Sequence, residues 1–206
     1  VSIGTDSTQN PLSVTPQENI VLSVANSVHL WKKKFLWKNE ISASAITRDR
    51  RSDELDVEGV PEFLSNLFTP RVSSGADYAY TTDLSLSLRK VTMNAGYQYI
   101  GPGYVSLGLA SLLPDKKVIS AGVQVRHARG LVKVDGALQQ DNLIGQKLAT
   151  TTRTRLTTLG SYRMSRTWNM TGALIYSGMG NNAAVVTSKV DYRSWIARTS
   201  QNISFL

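Results

Sequence analysis

Cysteine is absent from this chain of 206 residues. Its absence excludes a disulfide scaffold, a thiolate metal centre and a cysteine nucleophile. Histidine is nearly absent: His29 and His127 are the only two, too few for a histidine-based metal centre or a confident triad. Long apolar runs are missing as well, and none approaches the ~20 residues of a membrane-spanning helix. The start at Val1 shows no basic-then-apolar leader, as expected of a mature form or a fragment. What remains is 41% hydrophobic, long enough to bury a sizeable core, with a net charge of +8. Such a charge points to nucleic acid or an anionic surface as partner.

Period, not composition, carries the information. In 78–89, Tyr78, Tyr80, Leu84, Leu86 and Leu88 share one parity, and Thr81, Asp83, Ser85, Ser87 and Arg89 share the other. A period of two places these sets on opposite faces of a strand. Residues 91–99 repeat it, with Val91, Met93, Ala95, Tyr97 and Tyr99 on the apolar parity. Only Arg89 and Lys90 intervene, so the two runs predict a tight antiparallel hairpin. The module recurs: 20–31 with 35–47 across Lys32, Lys33 and Lys34; 117–128 with 131–141 across Arg129 and Gly130; 152–164 with 168–177 across Ser165, Arg166 and Thr167. The stretch 184–197 alternates weakly and reads as a ninth strand or as part of a long loop. Residues 203–206 read as the start of a further one.

These arms are longer than the ~5–6 residues of an average soluble strand. They match the ~9–11 residues with which a tilted strand crosses hydrocarbon. Short basic turns alternate with long polar connections at 48–75, 101–116 and 142–151. That rhythm predicts an all-β, antiparallel up-and-down meander of about nine or ten strands, forming a transmembrane β-barrel or part of one. The whole of 1–206 is then a single barrel segment, expected to be incomplete at both ends.

Faces and rims follow from the same pattern. Leu84, Leu86, Leu88, Val132, Val134 and Leu138 are expected to face lipid, and Lys133, Asp135 and Gln139 the lumen. Trp31, Phe35, Trp37 and Trp168 stand beside the turns, and Tyr97, Tyr99 and Tyr104 near a loop, as interfacial girdles do. Lys32, Lys33, Lys34, Arg89, Lys90, Arg129 and Arg166 make the turns basic. Contact with anionic headgroups or a periplasmic partner is one reading, and ordinary solvated turns are the other. Nucleic acid is disfavoured, because the charges sit on separate turns without a recognition helix.

Other signals read as structural. The charged stretch 48–58, with Arg48, Asp49, Arg50, Arg51, Asp53, Glu54, Asp56 and Glu58, lacks the ordered ligands of a calcium loop and reads as self-pairing. Residues 62–68 after Pro61 suggest a short helix in that outer loop. Gly178, Met179 and Gly180 open no helix and make no phosphate loop. His29 and His127 have no nucleophile at motif spacing, so no catalytic, metal-binding or cofactor-binding residue is assigned.

Two further segments stand out: Tyr97-Gln98-Tyr99-Ile100-Gly101-Pro102-Gly103-Tyr104-Val105-Ser106-Leu107-Gly108, and Gln140-Asp141-Asn142-Leu143 followed by Lys147 and Thr150-Thr151-Thr152-Arg153. Together they resemble large outer-membrane β-barrel proteins of Bacteroidota, mostly uncharacterised, over residues 75–177. The resemblance implies residence in the cell outer membrane and brings no activity, ligand or catalytic residue. For the residues themselves, Gly101 and Gly103 are expected to take positive φ and Pro102 to stiffen the turn. Tyr104 and Leu107 are then expected to pack a structural loop, ending near Gly108, over the lumen. The expected role is passage of solutes or organisation of the outer membrane, with lipids and other membrane or periplasmic subunits as partners. The rival is a soluble all-β surface module, an adhesin or carbohydrate-binding sheet, in which Tyr and Trp form a ligand platform.

Overall fold

Strands that alternate over ten or more positions keep one apolar face only if every neighbour holds register, since a one-residue slip reverses all side chains. The computed structural model describes residues 15–55, 68–109 and 112–203, and in it the register is held throughout. Nine strands follow one another: β1 Glu18–Leu30, β2 Phe35–Thr47, β3 Ser74–Ser87, β4 Val91–Ile100, β5 Lys116–His127, β6 Gly130–Asp141, β7 Thr151–Arg163, β8 Trp168–Asn181 and β9 Asp191–Ile203. They form one sheet in chain order, each antiparallel to the next. A 3-10 turn at Val186–Ser188 is the one helical element among the described residues.

Several boundaries depart from the sequence expectation. Trp31 belongs to the first turn, where Trp31, Lys32 and Lys33 all take positive φ (50°, 55° and 67°). Leu88 lies beyond β3, and its N–H bonds the Val91 carbonyl to close the next turn. The ninth strand starts at Asp191, because the segment before it holds the 3-10 turn, and Ile203 ends that strand opposite Trp168 instead of beginning another. The proposed helix at 62–68 lies, apart from Phe68, outside the described residues. The fourth hairpin is closed by Ser165, whose Oγ accepts the N–H groups of Thr167 and Trp168, a local bond that favours a turn.

Pairing carries side chains across all nine strands in level rows. One row reads Val28, Trp37, Leu84, Ala95, Ala121, Gly136, Leu156, Tyr176 and Trp195. The neighbouring row, on the opposite face, reads Ser27, Lys38, Asp83, Gly96, Ser120, Ala137, Arg155, Ser177 and Ser194. The first contains no charge and no aliphatic hydroxyl; the second contains no side chain larger than alanine that is apolar. Interior packing is correspondingly thin. Among the described residues, Ile46, Ile100 and Tyr104 are the buried apolar side chains.

The sheet has two free edges among the described residues, β1 and β9. Both run from the long-loop rim to the turn rim. The rows are staggered: the one above leaves β1 two residues from its turn end and reaches β9 eight residues from its turn end.

Candidate functional site: two unlike faces and two unlike rims

The apolar face gathers the residues expected to meet lipid. Leu86 stands level with Met93, Val123 and Val134, and Val132 level with Val125 and Val91, so the leucines of β3 and the valines of β6 share one surface. Leu84 and Leu138 lie on the same face, whereas Leu88 sits in the turn beside it. These side chains stay open: Val132 is 51% exposed, Leu138 45% and Trp195 63%. On β1 to β3, polar atoms of this face partner one another. Asn39 donates to Asn26 (3.2 Å), Thr82 donates to Asn39 (2.8 Å), and the Trp37 indole N–H donates to Thr82 (2.9 Å). Four tyrosines, Tyr78, Tyr80, Tyr97 and Tyr99, cluster toward the loop end of β3 and β4, with the rings of Tyr78 and Tyr99 stacked 5.0 Å apart.

Lys133, Asp135 and Gln139 lie on the other face, where Lys133 Nζ pairs with Asp135 at 2.8 Å. Two glycines there make room for polar neighbours. A Cβ at Gly96 would stand 2.7 Å from Ser120 Oγ and 2.8 Å from an Asp83 oxygen, and one at Gly122 would overlap Asp135. The polar face is thus crowded by its own charged and hydroxyl groups.

The loop after β4 folds across this polar face. Tyr104 is buried, and its hydroxyl donates to Ser42 at 3.0 Å on β2. Ser44 bonds the Val105 carbonyl, Asn19 Nδ2 donates to that carbonyl at 3.1 Å, and Leu107 N–H donates to Asn19 Oδ1 at 3.1 Å. The loop therefore bridges β4 to β2 and β1 over β3. Three details differ from expectation. Tyr104 is not part of a girdle, because its ring is under the loop. Leu107 is 52% exposed, because its backbone, not its side chain, is what Asn19 holds, and Gly108 borders open space. Gly101 and Gly103 do not take positive φ; they are small because Asp77 fills the place of their side chains. A Cβ at Gly101 would overlap the Asp77 carboxylate, which accepts the Gly103 N–H at 2.8 Å. Pro102 is half-buried between them.

A second built loop follows β6. Asp115, itself buried, accepts the N–H groups of Asn142 (3.1 Å) and Leu143 (2.8 Å) and pairs with Lys147. Asn142 takes φ 57° and ties the loop by bonds to Lys147 and Thr150, while Asp141 accepts the Thr151 N–H at 2.6 Å. Burial would raise the Asp115 carboxyl, but Lys147 and the two N–H groups outweigh it and hold it below the ordinary carboxylate range. Asp115 correspondingly holds the Lys147 ammonium above its usual value. The lowered carboxyl contributes stability above the ordinary carboxylate range and loses it as pH falls through the lowered value. The raised ammonium contributes below its ordinary range and loses that as pH rises through the raised value. The protection of amides 142–150, their exchange rate relative to that of the unstructured chain at the same pH, should therefore hold through neutral solution and fall only below the ordinary carboxylate range and above the ordinary lysine range. Asp115→Ala should remove the acid limb and cost about 2 kcal/mol, as expected when buried N–H groups lose their acceptor.

The two rims differ in charge. All four hairpins lie on one rim, and Lys32, Lys33, Lys34, Arg89, Lys90, Arg126, Arg129, Arg163 and Arg166 are exposed there with no acidic residue among them. Trp31, 67% exposed in the first turn, sets its ring 5.5 Å from that of Phe35 at a tilt of 54°; Trp37 follows on β2, and Trp168 opens β8 with its indole nitrogen buried and unbonded. On the opposite rim several charges pair: Arg50 with Glu18, Arg51 with Asp49, Arg71 with Glu54, Arg193 with Asp191. Asp56 and Glu58 of the charged loop lie outside the described residues. Models of known families, curated proteins and solved structures all give no match to the chain.

Proposed function

We propose that this sheet is the wall of an outer-membrane β-barrel, serving the passage of solutes or the organisation of that membrane, with no catalytic role and no cofactor. The observation that carries the reading is the contrast between neighbouring rows: one without charge or aliphatic hydroxyl from β1 to β9, the next without any apolar side chain larger than alanine. Contiguous exposed apolar surface beyond a few hundred Å² calls for a cover of lipid or protein. A strand of 13 residues tilted by ~40° rises about 33 Å, enough for the apolar band and its interfaces. Staggered rows are also what tilted strands of a barrel require.

In this reading, outer-membrane lipids cover the apolar face, and other membrane or periplasmic subunits, not nucleic acid, are the protein partners. Free strand edges are not tolerated in hydrocarbon, so β1 and β9 must both be covered. Because they run the same way, an antiparallel seam between them takes an odd number of additional strands. The resemblance to large Bacteroidota barrel proteins supports the location.

Membrane fractionation with heat-modifiable gel mobility tests the reading. The protein should sediment with outer membranes and migrate faster unheated than boiled. Recovery in the soluble fraction without detergent, with one mobility, would favour the soluble binding sheet instead.

A further inference from the structure

We propose that the turn rim is a binding surface for anionic glycerophospholipid headgroups, and that the chain's surplus positive charge serves this contact. The inference rests on the outer-membrane reading and names the lipid class that one rim selects. Its first support is arithmetic. The nine rim cations leave fourteen basic residues against fifteen acidic ones for everything else, so the +8 of the chain is accounted for by this one rim. The second support is pairing. None of the nine forms an ion pair among the described residues, whereas six of the other fourteen (Arg50, Arg51, Arg71, Lys133, Lys147 and Arg193) do. A row of exposed cations with no protein counter-charge is open to anions from outside.

The geometry selects which anions. Successive hairpins are two strands apart, so the cationic groups step along the rim at about 10 Å. A single small ligand meets one step of such a row, whereas a layer of headgroups meets all of them. The apolar face begins directly below the turns, with Phe35, Trp37 and Trp168 at that end. A nucleic acid or an acidic protein would satisfy the cations and leave this apolar belt uncovered. A phospholipid supplies both halves, phosphate to the rim and acyl chain to the face.

The rim tryptophans supply the probe. The purified protein is inserted in vesicles of phosphatidylcholine containing phosphatidylglycerol, and fluorescence quenching is compared when one lipid or the other carries bromine on its chains. Brominated phosphatidylglycerol should quench out of proportion to its mole fraction, with at least about a tenfold preference at low salt that falls in high salt. The preference should vanish in Lys32→Gln/Lys33→Gln/Arg89→Gln/Arg129→Gln and persist in Lys116→Gln/Lys117→Gln/Arg153→Gln/Lys189→Gln, both still heat-modifiable. Equal quenching by the two lipids would overturn the proposal, as would equal loss in both variants or displacement of phosphatidylglycerol by lipopolysaccharide. Failure of the membrane reading looks different: neither brominated lipid quenches, and the protein stays outside the vesicles.

Discussion

Leu156→Arg should leave most of the protein unable to assume its fast-migrating folded form, while Thr157→Arg, the next residue, should fold as the parent does. Both lie at the centre of β7, Thr151–Arg163, so depth is matched and only the face differs. Leu156 stands between Gly136 and Tyr176 in the row that carries no charge or aliphatic hydroxyl on any of the nine strands. Arginine on a lipid-facing surface at mid-depth costs about 2–4 kcal/mol, a large share of the 5–15 kcal/mol by which a folded domain is typically stable. Thr157 stands opposite Asp135, so an arginine there gains a carboxylate neighbour, and its cost should stay within about 0.5 kcal/mol. The folded fraction across a urea series, read by unheated gel mobility in lipid vesicles, measures both. Equal loss in the two variants would mean that the faces are not differently solvated, and the barrel reading would go with that result.

The part of this arrangement legible in the sequence is the part governed by period two. Alternation from Tyr78 to Leu88 and from Val91 to Tyr99 needs no knowledge of distant residues, and it yields strand, hairpin and face together. Register then follows, because the turns at Lys32–Lys34 and Arg89–Lys90 are too short to allow slippage. Ends were harder. Trp31 follows Leu30 as a further apolar residue, out of parity with it, and sits in a left-handed turn, a choice made by the turn's geometry. The polar contacts on and between loops were invisible for a different reason. Asp77 reaches Gly101 and Gly103, Tyr104 reaches Ser42, and Asp115 reaches Leu143, over separations that only the sheet brings close. Gly101 and Gly103 stand out in the sequence, yet crowding by Asp77, not φ, is what keeps them small. The usable signal lay on the partner strand: Asp77 begins the polar parity of β3 where a small hydroxyl would have sufficed. Likewise Asn26 and Asn39 break the apolar parity of β1 and β2 at facing positions, a pairing that the hairpin register alone would have exposed.

The close approach at Gly101 gives the remaining large effect. Gly101→Ala should cost about 2 kcal/mol, because the new Cβ must expel the Asp77 carboxylate that holds the Gly103 N–H. Expulsion frees the start of the loop, so Tyr104 should lose its place against Ser42 and become accessible to aqueous quenchers. Asp77→Ala alone removes the acceptor of the Gly103 and Tyr78 N–H groups and creates no clash, so it should cost about 1 kcal/mol. In the double variant the methyl group meets no carboxylate, and Gly101→Ala should then add almost nothing. The expected coupling is about 2 kcal/mol of opposite sign to the single losses, well above the roughly 0.5 kcal/mol within which independent sites add. If the polar face lines a passage, the same single variant should raise conductance across planar bilayers, since the loop that crosses β3 to reach Asn19 and Ser44 loses its anchor at the β4 end. Additive losses would show that Gly101 is small for another reason and that Asp77 does not hold the loop. Coupled losses without a change in conductance would keep the anchor and remove the loop from the path of any solute.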